Sequence, residues 1–214
     1  MGGDATGRAR ANCRGEQLIS LGKPGEMEIQ RFLERQSGLP YSYANVGGTR
    51  PTLQQSDLPG YVIDHNRVQL GVGQTVFEQA KAALRRWQMF NLGWVQLYWP
   101  HAPIAVGTTV GVLANPFGIW SLNACRIVYL IDETVTEAAI TNERYGFAYG
   151  TLLDHVERGE ERFMVEWRQT DNTVWYDILA FSQPQQWIAK LGYPVVRQYQ
   201  KQFARDSKRA MLNL

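Results

Sequence analysis

Side chains capable of chemistry gather around position 155. His155 stands with Glu157, Glu160 and Glu161, and Tyr149 lies six residues upstream. Imidazole and carboxylates bind divalent metals, and a carboxyl beside an imidazole or a phenol can move protons as a general acid or base. The spacing matches no metal motif such as HExxH, so neither a metal nor another cofactor is expected. Tyr149, His155 and Glu157 are the candidates for acid–base catalysis. The plainer reading takes 154–162, with Asp154, His155, Glu157, Arg158, Glu160, Glu161 and Arg162 around Gly159, as a charged turn in solvent.

Arg126 is the other pointed residue. It lies in the run 122–129, where both faces are largely apolar. A buried arginine there could hold a ligand carboxylate or phosphate through its planar fork. Equally, it could form a structural ion pair with Asp177, Glu166 or another carboxylate. Cys125 next to it reads as a small buried hydrophobe, because a thiol without a nearby base or cation is inert. His65, between Asp64 and Arg67, fits a polar strand face. No serine sits in a G-x-S-x-G elbow, and Gly71-Val72-Gly73 lacks the rest of a dinucleotide fingerprint. Ser182 is placed to cap a helix starting near Pro184.

The elements that must position these groups follow from periodicity. Tyr145, Phe147, Tyr149 and Thr151 alternate with Gly146, Ala148 and Gly150, so the aromatics share one face of a strand. Phe163, Val165 and Trp167 alternate with Met164, Glu166 and Arg168, which predicts a second strand with one wet face. Further strands are expected over 61–70, 94–98, 108–114, 120–132 and 174–182, with a loose connection over 134–142. A short helix covers 26–36, and a long irregular loop rich in Pro and Gly runs over 39–60, carrying Tyr41 and Tyr43. Thr75 and Glu78 look like a capping box opening a helix that ends near Phe90. From Pro184 a helix starts, Gly192 ends its first turn and Pro194 restarts it. Beyond that, Val195, Val196, Tyr199 and Phe203 form an apolar stripe opposite Arg197, Lys201, Arg205 and Lys208.

A chain of 214 residues with 44% hydrophobic and 20% charged residues is ordinary for one globular domain. The net charge of +2 gives no support to a nucleic-acid partner. Six bases against one acid make residues 190–214 locally +5, which allows a weak contact with an anionic membrane surface through Arg197, Lys201, Arg205 and Lys208. Two cysteines, Cys13 and Cys125, make no disulfide framework, so a cytoplasmic, reducing setting is expected. No apolar run approaches the roughly 18 residues of a membrane span. Residues 1–24 read as a disordered basic extension, leaving organelle import through it open. Residues 25–214 read as a single domain: helix and loop over 25–60, strand–helix–sheet core over 61–183, terminal helix over 184–214.

Several segments then match one family in order: DHNRVQLGVG at 64–73, RRWQMFNLGWV at 85–95, WSLNACRIVY at 120–129, GFAYGTL followed by H and GEERF over 146–163, VWYDILAFSQP at 174–184 and FARDSKRAM at 203–211. Over roughly 32–211 the chain resembles the domain-of-unknown-function family nineteen-ninety. More distantly it resembles the START-like and pollen-allergen-like helix-grip proteins. The resemblance implies an α+β fold, a curved antiparallel sheet of about seven strands gripping a long C-terminal helix. It also implies an apolar or amphipathic small molecule under that helix. Tyr145, Phe147, Tyr149, Phe163, Val165 and Trp167 would wall the cavity, with Arg126 or Tyr149 as its polar anchor. Carriage of the ligand is preferred to catalysis on it. A third reading, a surface-interaction module using the basic helix, stands as the alternative outside that cavity.

Overall fold

The alternation of aromatic and small residues around Phe147 does make a strand, and it lies in the middle of the sheet. The computed structural model describes residues 18–50, 58–99, 101–115, 118–137, 140–184 and 193–214. Its elements are β1 (Leu18–Ser20), α1 (Glu26–Ser37), β2 (Val62–Val72), α2 (Gly73–Arg85), β3 (Val95–Tyr98), β4 (Thr109–Ala114), β5 (Trp120–Glu137), β6 (Ile140–Thr151), β7 (Glu157–Arg168), β8 (Thr173–Pro184) and α3 (Tyr193–Leu212). The sheet order is β2-β8-β7-β6-β5-β4-β3, with β1 added beside the start of β5. Every pairing is antiparallel. Register shifts at Gln69/Gly71 and Ile127/Tyr129 put bulges in β2 and β5, and bulges bend and twist the strands that carry them. The result is the expected α+β arrangement, a curved antiparallel sheet with the long terminal helix on its inner face.

That inner face is sealed over much of its area. Phe147, Phe163, Val165, Tyr176 and Ile178 of the sheet pack against Phe77, Ala80, Ala83 and Leu84 of α2, and against Met211 of α3. Trp87, Met89 and Phe90 complete this core. Each fully buried ring or branched chain contributes roughly 2–3 kcal/mol. On the outer face, Ile29, Phe32 and Leu33 of α1 pack on Leu113, Leu122 and Ala124.

Several sequence expectations need correction. α2 begins at Gly73, whose N–H donates to the Asn172 carbonyl at 2.8 Å, so Thr75 and Glu78 lie inside the helix and form no capping box. It also ends early. Trp87 adopts a left-handed conformation (φ 56°) and a 3-10 turn over Gln88–Phe90 follows. The cost of that turn, about 1 kcal/mol, is offset by packing the Trp87 ring edge-on to Phe147 at 4.8 Å. β5 and β6 extend through most of the supposed loose connection, pairing as far as Glu137 and Ile140, because Thr134, Val135, Thr136 and Thr141 suit a strand. Leu18–Ser20, assigned to the disordered extension, pair with β5. Residues 1–17 and the expected helix start at 184–192 fall, apart from Pro184 at the end of β8, outside the described residues.

The largest correction concerns the charged turn. β7 starts at Glu157, so most of that segment is strand. Asp154, Glu160, Arg162 and Glu166 are buried, and the outer face of β7 is not wet. Glu160 accepts hydrogen bonds from Tyr43 O–H (2.8 Å), Gly47 N–H (2.7 Å), Thr49 N–H (2.9 Å) and the Thr49 hydroxyl, all from the irregular loop. Arg162 joins Asp177 at 2.7 Å, Arg67 joins Glu166 at 2.8 Å, and Arg144 joins Glu166 at 2.9 Å. Burial of these charges is tolerated because each is paired or hydrogen-bonded. Gly150 serves the same clasp: a Cβ there would stand 2.0 Å from the Tyr43 hydroxyl.

Candidate functional site

Register across the inner face builds one transverse row. Ile127 of β5 faces Tyr149 of β6, Tyr149 faces Glu161 of β7, Glu161 faces Ala180 of β8, and Ala180 faces Asp64 of β2. Tyr149 O–H donates to Glu161 Oε2 at 2.9 Å. Burial pushes the Glu161 carboxyl up to about 7; the Tyr149 bond opposes this, and the carboxylates of Glu157 and Asp64 add to it. Burial, then the Glu161 charge, holds the Tyr149 phenol well above its ordinary value. The Cys125 thiol is likewise pushed up by burial and by Glu161, which disfavours the thiolate. Around the pair, Tyr149 packs on Phe163 at 5.3 Å, and Phe90 reaches Phe203 of α3 at 5.4 Å.

α3 closes one side of this row with polar contacts. Gln200 Nε2 donates to Glu157 Oε2 (2.7 Å) and Ser182 Oγ (2.9 Å), and burial raises the Glu157 carboxyl. Ser182 thus belongs to β8 and receives a hydrogen bond from α3; it caps no helix among the described residues. Arg197 grips Asp64 through two nitrogens, one contact at 2.7 Å, and Lys208 donates to Asn66 at 3.3 Å. Two of the four bases expected on an outward face therefore reach back to β2, which weakens a membrane contact through that set. Tyr176 O–H and Ser207 Oγ share a buried hydrogen bond at 2.9 Å. The buried stripe of α3 is thus Ala204, Ser207 and Met211, while Val195 is exposed.

Access differs along the inner face. Phe147, Phe163 and Val165 have no exposed surface. Tyr145 and Trp167 are partly exposed at the α2 side, where Arg85 donates to Tyr145 at 3.1 Å and Asn172 accepts from Trp167 at 2.9 Å. At the other end Leu97 of β3, Val112 and Ala114 of β4, Glu161, and Tyr199 and Phe203 of α3 all keep part of their surface open. Leu97, Val112, Ala114 and Phe203 pack against the inner core, and α3 packs chiefly on β2, β8 and the 3-10 turn. Glu161 is thus a carboxyl set among apolar groups at a partly open stretch of the inner face, where desolvation opposes its charge.

The other predicted site residues lie elsewhere. Arg126 points to the outer face and donates to the carbonyls that end α1, Ser37 at 2.7 Å, Leu39 at 2.9 Å and Gln36 at 3.3 Å. It caps a helix, where a cation complements the dipole, and it neither anchors an inner-face ligand nor pairs with Asp177 or Glu166. His155 Nδ1 accepts the Glu157 N–H at 3.0 Å, and burial lowers the imidazole to about 4. The side chains of Tyr149, His155 and Glu157 do not hydrogen-bond one another: Tyr149 is engaged by Glu161, Glu157 by Gln200 and His155 by the Glu157 backbone. Glu161, the partner that sequence reasoning left in a solvated turn, was marked by register. A hairpin pairing Phe147 with Phe163 must also pair Tyr149 with Glu161. Among the described residues no group of three His, Cys, Asp or Glu side chains could hold a metal, and no helix is long and apolar enough to cross a membrane.

The family model described as Domain of unknown function (DUF1990) matches residues 42–210, which include every member of the transverse row. The chain belongs to the DUF1990 family. A UPF0548 protein of Dictyostelium discoideum is 40% identical over 207 residues, covering 91% of this chain and 94% of that protein. A UPF0548 protein of Arabidopsis thaliana is 30% identical over 201 residues, with 91% and 96% covered. Among solved structures, that of Ara h 8.0201 scores a TM-score of 0.44 at 12% identity, covering 72% of this chain and all of that one. Human STARD10 scores 0.33 at 8% identity, with 88% and 81% covered. Likeness at these scores says nothing about what a DUF1990 chain binds.

Proposed function

We propose that the protein binds an apolar or amphipathic small molecule at the Tyr149–Glu161 end of the inner face. One observation carries this. A desolvated carboxyl–phenol pair lies in an apolar surround, and on the same inner face Leu97, Val112 and Ala114 of the sheet and Phe203 of α3 stay partly open. Binding pockets combine apolar walls with few convergent polar groups, and here Glu161 and Tyr149 take the anchoring role. The innermost rings, Phe147 and Phe163, form the floor behind the site.

The test is fluorescence of N-phenyl-1-naphthylamine, an uncharged apolar probe. Enhanced emission on adding the protein, weakened at least tenfold in a folded Val112→Trp variant, supports the site. Emission no brighter than in buffer, or unchanged by that substitution, refutes it. A second reading, acid–base catalysis on the bound molecule, is favoured by the Glu161 carboxyl near 7, poised between acid and base at neutral pH. Turnover by the wild type and none by Glu161→Gln would support it once native mass spectrometry and extraction have identified a ligand.

A further inference from the structure

We propose that the site selects amphiphiles whose polar head is a protonated amine. This rests on the binding reading above and adds the charge of the ligand. The inner-face row presents carboxyls from two strands, Asp64 of β2 and Glu161 of β7, with Glu157 on the same face of β7. The nearby guanidinium, Arg197, is already held by Asp64. Three further bases are engaged elsewhere: Arg126 caps α1, Arg162 pairs with Asp177 under the loop, and Lys208 is held by Asn66. Among the described residues Glu161 has only the neutral Tyr149 hydroxyl as hydrogen-bond partner.

A second feature points the same way without using charge. Aromatic rings pack about Tyr149, which holds the carboxyl: Phe163 lies 5.3 Å and Phe90 6.1 Å from the Tyr149 ring, and Phe203 lies 5.4 Å from Phe90. Ring faces attract an ammonium and repel a carboxylate. An ammonium head would give Glu161 a partner of opposite charge, and the alkyl body would run along the partly open apolar residues of the inner face. A fatty acid would place like charges together in a poorly solvated cleft.

The experiment compares dodecylamine, 1-dodecanol and dodecanoate as displacers of N-phenyl-1-naphthylamine from the full chain at pH 8, each below its micelle concentration. The amine stays protonated there, as a lysine does. Dodecylamine is expected to bind at least tenfold more tightly than dodecanol, and dodecanoate at least tenfold more weakly. Glu161→Gln should bring the amine-to-alcohol ratio close to one, and Tyr149→Phe should leave the amine preferred. Equal displacement by all three, a preference for dodecanoate, or an amine preference that survives Glu161→Gln overturns the selectivity alone. Failure of all three and of the probe to bind overturns the binding reading with it.

Discussion

Glu161→Gln should make the protein more stable at pH 8 and leave it nearly unchanged near pH 4. The carboxyl titrates at about 7 in the fold against an ordinary 4.5. Below 4.5 both folded and unfolded chains hold the proton, and the environment costs nothing. Between 4.5 and 7 the folded chain holds more protons than the unfolded one, so stability falls as pH rises. Above 7 the full penalty applies, about 3 kcal/mol for a difference of that size. Glutamine keeps an acceptor for the Tyr149 hydroxyl and carries no charge to desolvate. The surrounding groups, Tyr149, Cys125, Tyr176, Glu157, Asp64 and Arg197, are common to both proteins and largely cancel in the difference. The assay is urea denaturation of both proteins at several pH values, followed by tryptophan emission. The stability difference should grow from about 1 kcal/mol or less near pH 5 to about 3 kcal/mol at pH 8, in favour of the variant. A constant difference, or one favouring wild type at pH 8, would refute the desolvated carboxyl.

Three further outcomes follow. Glu160→Ala removes the acceptor shared by Tyr43, Gly47 and Thr49 and should cost about 3 kcal/mol, with amide exchange at Gly47 and Thr49 accelerating first. Arg126→Met should cost about 1–3 kcal/mol by uncapping α1, yet leave N-phenyl-1-naphthylamine binding intact; lost binding would return Arg126 to the site. His155 should titrate near 4 by NMR. Because its folded value lies below the unfolded 6.5, the stability it contributes is present above 6.5 and lost as pH falls toward 4.

The order of elements was legible because each strand and helix carries its own period, and the pairing of Phe147 with Phe163 needed only two aromatic alternations. The burial of Glu160 and Arg162 was not. Their cover comes from a Pro- and Gly-rich loop more than a hundred residues away in sequence, and no local pattern reports such a contact. Arg126 was misassigned for a related reason. Alternation places it opposite Cys125, but it does not say that the end of α1 covers that opposite face. Of the walls named from sequence, Phe147, Phe163 and Val165 turned out to be sealed core, because α2 and the turn at Trp87 occupy the space before them. The open end was hidden in β3 and β4, whose short apolar runs look alike whether fully or partly covered.

The most direct measurement is amide chemical-shift mapping of the labelled protein titrated with N-phenyl-1-naphthylamine. Saturable shifts centred on Val112, Tyr149, Glu161, Tyr199 and Phe203 are the expected result. Shifts confined to the α1 surface or to the exposed face of α3, or none at concentrations that light up the probe, would contradict a ligand site at Tyr149 and Glu161.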